Sequence, residues 1–318
     1  MTRIWPRITV PMLLALALSG CAAQLDLVPA DAPGNSAPAH AAAAPHNGVL
    51  RVMTLNAAHS RGTGFHQMLQ DGDTARANLS TIASVVHREA PDLLALQELD
   101  GPSFWSGGFD HAGYLSEQTG LAAYLRAENQ KAAGLRYGTA LMSRHQLADG
   151  EGFSFPARGV WPAKGFVVST MRTASSEHPP VMVISLHLDP LRPKMRHTQL
   201  RMLAEYLDGK TGPTIVMGDF NCDWDEATCL PWFTDRMQLQ AHNPDAPGPA
   251  TFRFGDKRID WVLVSPHFRF NDYRVLEDEM SDHRAVVAEL HWNQSFLPAG
   301  NVVADGKEDP PARQVLSR

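Results

Sequence analysis

Eight positions carry the chemistry that this sequence offers, and each lies beside the start or end of an apolar run. Asn56 closes a run ending in Leu55, Glu98 follows Leu93–Gln97, His187 follows Val181–Leu186, and Asp219 with Asn221 follows Thr214–Met217. Asp260 opens the run Trp261–Val264, and Asp282 with His283 stands just before the last one. Strand ends bring polar groups from distant parts of a chain onto one rim, and the strands behind them fix their geometry. Carboxylates, amide oxygens and neutral imidazoles gathered in this way suit a hard divalent cation beside a general acid or base.

The elements that must hold these residues read as strands at 50–55, 92–97, 139–142, 166–171, 181–186, 214–217, 261–264 and 285–290. Several are near-continuous apolar runs, as buried strands are. Leu79, Ile82, Val86 and Ala90 recur at helical spacing after Asp73 and Thr74, and Pro91 follows them. This pattern predicts an amphipathic helix feeding the second strand. Leu200, Leu203, Ala204 and Leu207 predict another, with Gly209 as its end. Strands and helices alternate, but the closing third is strand-rich, so mixed sheets are expected rather than parallel ones. About 245 residues from 49 to 292 carry this pattern without an internal repeat, a span suited to a two-sheet α/β domain.

Six segments in order, TLN (54–56), LQEL (96–99), SLHLD (185–189), GDFN (218–221), RIDWVLVS (258–265) and SDHRAV (281–286), resemble the motif set of the endonuclease/exonuclease/phosphatase superfamily. The resemblance implies a four-layer sandwich of two mixed β-sheets flanked by helices, and hydrolysis of phosphoesters with Mg²⁺ or Mn²⁺. It implies Glu98 as principal metal ligand, with Asn56 and Asp282 near the same ion. It further implies that Asp219 orients or deprotonates the attacking water and that Asn221 holds Asp219 and the phosphate. Asp260 would support a positive His283 facing the phosphate, and His187 would contact the scissile group. Outside these motifs, His59, Arg61 and His66 read as a polar loop, and Arg196 with Gln199 as a helix end that could support His187. Phe104, Trp105 and Phe109 read as an insertion cluster.

The N-terminus carries Arg3 and Arg7, an apolar stretch from Val10 to Leu18, and Leu18-Ser19-Gly20-Cys21. That stretch is about half of a membrane span. The arrangement resembles the signal peptide (1–20) and lipobox of a bacterial lipoprotein, which implies acylation of Cys21 and a membrane tether. With Ala22 rather than Asp next, the resemblance favours the outer membrane, facing the periplasm. Residues 21–48, rich in Ala and Pro, then read as a linker, with structure beginning near Val49; 293–318 read as a flexible tail.

Loss of Arg3 and Arg7 leaves 26 basic against 34 acidic residues, a charge of −8. That balance disfavours a long polyanion such as nucleic acid and favours a small or membrane-associated phosphate ester. A metal-dependent nuclease is the alternative, and a non-catalytic surface lipoprotein acting as a binding module is a second. The sequence points to no protein partner. Cys222 and Cys229 are a candidate local disulfide in an oxidising compartment, with two buried thiols as the other reading.

Overall fold

The computed structural model describes residues 25–296, apart from 29, 32–47, 67, 69, 133, 157–161, 174, 176, 177 and 247. Two seven-stranded mixed sheets stack face to face. The first runs β13 (Phe268–Val275), β14 (Val286–Trp292), β3 (Val49–Asn56), β4 (Leu93–Asp100), β6 (Leu135–Ser143), β5 (Ala123–Ala132), β2 (Ala30–Asp31). The second runs β1 (Asp26–Val28), β7 (Gln146–Ser154), β8 (Gly165–Arg172), β9 (Val181–His187), β10 (Thr214–Asp219), β12 (Asp260–Val264), β11 (Gln240–Ala241). Within them, β3 with β4 and β9 with β10 are parallel pairs.

Alternation along each strand sorts side chains between two apolar layers. Between the sheets, Leu50, Val52, Leu93 and Ala95 meet Val183, Ile215, Met217 and Val262. On the outer face of the first sheet, Leu55, Leu94 and Leu96 pack under α1 (Gly72–Glu89) and α2 (His111–Thr119). On the outer face of the second, Ile184, Val216 and Leu263 pack under α3 (Pro193–Leu207) and α4 (Leu230–Met237). Four layers result, as the resemblance implied.

Local chemistry sets the helix ends. The Asp71 carboxylate accepts the Thr74 N–H at 2.8 Å and caps α1, whose buried face is Leu79, Ile82 and Val86. Ala90 leaves the helix in the left-handed conformation, and Pro91 prevents its resumption. In α3, Pro193 sits in the first turn, where a missing N–H costs nothing.

One set of polar contacts crosses the interior close beneath the rim. Gln97 Nε2 donates to Ser185 Oγ at 3.0 Å, and Ser185 Oγ donates to the Leu96 carbonyl at 3.0 Å, tying β4 to β9. Thr54 Oγ1 accepts from the same Gln97 amide at 3.3 Å.

All eight expected strands and both expected helices are present. Strands β5, β7 and β13 had not been expected, and each contains a break in register, at Ala127/Gln130, Ala148/Glu151 and Phe270/Asp272. A bulge inserts an extra residue and erases the two-residue period by which strands are read. The linker expected over 21–48 is a correction: Asp26–Val28 pairs with β7 and Ala30–Asp31 with β5, so structure begins well before Val49. Leu25 and Val28 pack against the core from this segment, and the Ala and Pro around it masked the short apolar run. At the other end, Gln294–Phe296 forms a 3-10 turn. The signal peptide, Cys21, most of the linker and residues 297–318 lie outside the described residues.

Cys222 and Cys229 form a disulfide with Cα atoms 6.6 Å apart, closing the loop between the Asp219–Asn221 turn and α4. Alkylation of oxidised protein should therefore leave Cys222 and Cys229 unmodified until a reductant is present. For a loop of this length, reduction should cost about 2 kcal/mol of stability, read as a lower denaturant midpoint.

Candidate active site

The rim of both sheets surrounds a cavity of about 450 Å³ lined by Asn56, His59, Arg61, Glu98, Lys164, His187, Asp219, Asn221, Phe252, Asp282 and His283. Sheet registry accounts for the centre of this group. Asp219 lies beside His187 across the parallel β9–β10 pair and opposite Asp260 across the antiparallel β10–β12 pair. Three consecutive strand ends thus present an imidazole, a carboxylate and a second carboxylate in line.

Asp219 is the hub. Its Oδ2 accepts from Asn56 Nδ2 at 3.0 Å, with His187 Nε2 at 3.3 Å and His283 Nε2 at 3.8 Å, while Oδ1 accepts the Asn221 N–H at 2.9 Å. Burial alone would raise its pKa, but His283, His187 and these hydrogen bonds hold it below the usual carboxylate range. The chain turns sharply here: Gly218 has φ 147° and Asn221 φ 52°. Asn221 Nδ2 donates to the Leu188 carbonyl at 3.0 Å, so its amide pins this turn to the residue after His187.

His283 Nδ1 meets Asp260 Oδ2 at 2.9 Å. Burial alone would lower the pKa of His283, but the surrounding Asp260, Asp219 and Asp282 carboxylates raise it to about 10. Burial, only partly offset by His283, pushes Asp260 up to about 6. Near neutral pH this gives an imidazolium against a carboxylate. His187 goes the other way: burial, reinforced by the Lys164 charge, pushes it down and keeps it neutral. Two histidines on either side of one aspartate therefore hold different protonation states.

The folded-state pKa of His283 lies above its ordinary 6.5, so the stability it supplies is complete below pH 6.5 and fades as pH rises through about 10. Urea midpoints should fall between pH 7 and 10, and His283→Gln should flatten that fall. An equally steep fall in the variant would refute the charge assignment.

Glu98 sits on the facing sheet. A break in the β4–β6 pairing between Leu96 and Leu99 leaves it at φ 49° and turns its side chain into the cavity. Lys164 Nζ contacts Oε1 at 3.0 Å and His59 Nε2 lies 3.4 Å from Oε2. Burial would raise the Glu98 pKa, but Lys164 first, then His59, hold it well below the usual range. His59 is fixed in turn: Nδ1 meets Asp100 Oδ1 at 2.7 Å, and Asp100 Oδ2 accepts from Trp105 Nε1 and Ser106 Oγ, each at 2.6 Å. Asp282 pairs with Arg61 at the cavity wall.

All eight residues singled out in the sequence are brought together, seven lining the cavity and Asp260 buried behind His283. Asn56 has a more specific place than expected, since its oxygen accepts the Ala58 N–H and its NH₂ group holds Asp219. Three basic residues of the cavity were missed. His59 and Arg61 had been read as ordinary loop polarity, and Lys164 not at all; a lone Lys just before a buried strand was its only signal. His66, by contrast, accepts the nearby Met68 N–H at 3.2 Å and does not line the cavity. Arg196 and Gln199 do support the His187 turn, through the Asp189 carbonyl and N–H. Phe109 packs beneath Arg76 and beside Tyr114, away from the cavity.

The donor set fits a hard divalent cation. Glu98 is ionised, as a ligand must be, with Asp282 and Asn56 on the same cavity. Asp219, Asp260 and His283 form a second group with ligand atoms within 4.8 Å of one another, and Asp260 Oδ1 there is buried without a hydrogen-bond partner.

Residues 53–283 match the model of the Endonuclease/Exonuclease/phosphatase family. The sequence matches none of the curated proteins compared with it. Among solved structures, an endonuclease/exonuclease/phosphatase from Beutenbergia cavernae is similar at TM-score 0.61 and 22% identity, over 77% of this chain and 72% of that one. A mannosyl-6-phosphatase from Bacteroides thetaiotaomicron is similar at TM-score 0.58 and 20% identity, over 76% of this chain and 100% of that one. The human Nocturnin catalytic domain, with bound sulfate, is similar at TM-score 0.52 and 18% identity, over 77% and 95%. At these identities the likeness is one of fold.

Proposed function

The chain belongs to the endonuclease/exonuclease/phosphatase family, and on that premise we propose a divalent-metal-dependent phosphoester hydrolase, acting as a phosphodiesterase on a small or membrane-associated phosphate ester. One observation carries the reading: Asp219 Oδ2 lies between His187 Nε2 at 3.3 Å and His283 Nε2 at 3.8 Å, with Asp260 behind His283 at 2.9 Å. A Mg²⁺ or Mn²⁺ ion held by Glu98, with Asn56 and Asp282 beside it, would polarise a phosphoryl oxygen and neutralise part of its charge. Asp219 accepts a proton from the attacking water, and Asn56 and Asn221 keep that carboxylate aimed. The His283 imidazolium, backed by Asp260, stabilises the negative charge on the phosphoryl oxygens as water adds and the ester oxygen leaves. His187 reaches the same phosphate from the other side of Asp219, and Lys164 and Arg61 add positive charge to the cavity wall.

The similar mannosyl-6-phosphatase acts on a small phosphate ester, which supports that substrate class. Acidic overall charge supports it over nucleic acid. We also place the mature protein in the cell envelope, anchored through Cys21 and facing the periplasm from the outer membrane.

Turnover of bis-nitrophenyl phosphate should require added Mg²⁺ or Mn²⁺ and vanish with chelator, and Glu98→Ala should abolish it without loss of the folded spectrum. Full activity in excess EDTA would reject the metal. Plasmid nicking at physiological salt that disappears with Asp219→Ala would make nuclease the better reading. Absence of all turnover with metal bound would favour a binding module.

A further inference from the structure

The first described strand enters the fold at the catalytic rim. Asp26 pairs with Ser154, Ser154 with Gly165, Gly165 with His187, and His187 with Asp219, so all five stand in one row across the second sheet. At about 4.8 Å per strand, Asp26 is roughly 14 Å along that row from His187. Strand β1 then runs away from the rim toward Val28, and Leu25, packed against the core, marks where the chain arrives. Only residues 22–24 separate it from Cys21, and four peptide steps extend at most about 14 Å. An acyl anchor at Cys21 would hold the rim close to the bilayer instead of trailing it on a long linker.

Apolar side chains stand exposed on that rim. Leu191, 63% exposed, lines both the catalytic cavity and an adjoining slot of about 210 Å³ with Pro162 and Pro190. Phe254, 77% exposed, packs against Phe252, whose ring lies 5.1 Å from His283. Phe65, 93% exposed, follows Arg61 in the loop past Asn56. Single exposed apolar residues are ordinary, but several round one polar cavity mark a contact surface.

We propose that the catalytic rim docks on a lipid bilayer, with Leu191, Phe254 and Phe65 among the headgroups, and that the substrate is a phosphate ester borne by a membrane lipid. This rests on acylation of Cys21 and on the hydrolase reading above. Its cleavage would add water across a P–O bond, leaving one product in the membrane and releasing the other.

The test uses the full chain, processed from its own signal and reconstituted into phosphatidylcholine vesicles. Leu191→Cys, Phe254→Cys and Gln146→Cys are each labelled with an environment-sensitive nitrobenzoxadiazole dye. Gln146 is exposed at the opposite end of β7, and the bridged Cys222–Cys229 pair does not react. Dyes at 191 and 254 should shift to the blue and be quenched by doxyl-labelled phosphatidylcholine, whereas the dye at 146 should do neither. Equal quenching at all three sites, or none, overturns the docking. An intact mass without acyl chains at Cys21 also overturns it while leaving hydrolysis of a soluble ester untouched. Lack of that hydrolysis with rim-specific quenching retained would instead remove the catalytic reading alone.

Discussion

Asp219→Asn should lower kcat on bis-nitrophenyl phosphate by about 10³-fold, a loss within the range for removing a positioned general base. The substitution keeps shape and removes charge, so the turn closed by the Asn221 N–H survives. What goes is the proposed acceptor for the water proton and the anion that faces both histidines. KM should change little if, as proposed, Lys164, Arg61 and a bound metal ion supply most of the phosphate binding. Thermal midpoints within a few degrees of the parent would separate chemistry from unfolding. A kcat reduced less than tenfold would reject Asp219 as the base.

Gly218→Ala should be among the most damaging single-methyl changes to the fold. At φ 147° a side chain is strained, and a Cβ would stand 2.0 Å from the Leu186 carbonyl oxygen, which is backbone and cannot swing aside. Backbone strain and overpacking together cost about 3 kcal/mol or more, and for a domain of this size each kcal/mol lowers the melting temperature by roughly 2–4 °C. Calorimetry would read the loss directly. A midpoint within two or three degrees of the parent would mean that β9 and β10 can separate at the rim, contrary to their pairing here.

The legible part of the site was that set by strand ends. Asn56, Glu98, His187, Asp219, Asp260 and His283 each sit where an apolar run stops or starts, and apolar runs survive in a single sequence. Lys164, His59 and Arg61 were not legible, because their roles come from folding across the cavity. Lys164 reaches Glu98 from just before a strand of the other sheet, 66 residues away. The same holds for the fold. Buried central strands announce themselves, whereas β5, β7 and β13 are bulged and carry polar faces, with Arg126 and Glu128 of β5 buried as an ion pair. Residues 25–28 show the opposite failure, a short apolar run discounted because of its neighbours.

The hydrogen bonds joining Gln97, Ser185 and Leu96 have a mechanical consequence. Each sheet carries half of the reaction centre, Asn56 and Glu98 on one, His187 and Asp219 on the other. Apolar packing between the sheets has no preferred direction along the strands, and a slip of one residue would displace the halves by about 3.3 Å, enough to misalign them. The Gln97–Ser185 tie works as a dowel, locating one half against the other just below the working surface. Gln97→Leu would fill similar space yet remove the dowel, so the two halves should lose alignment before the molecule loses its stability.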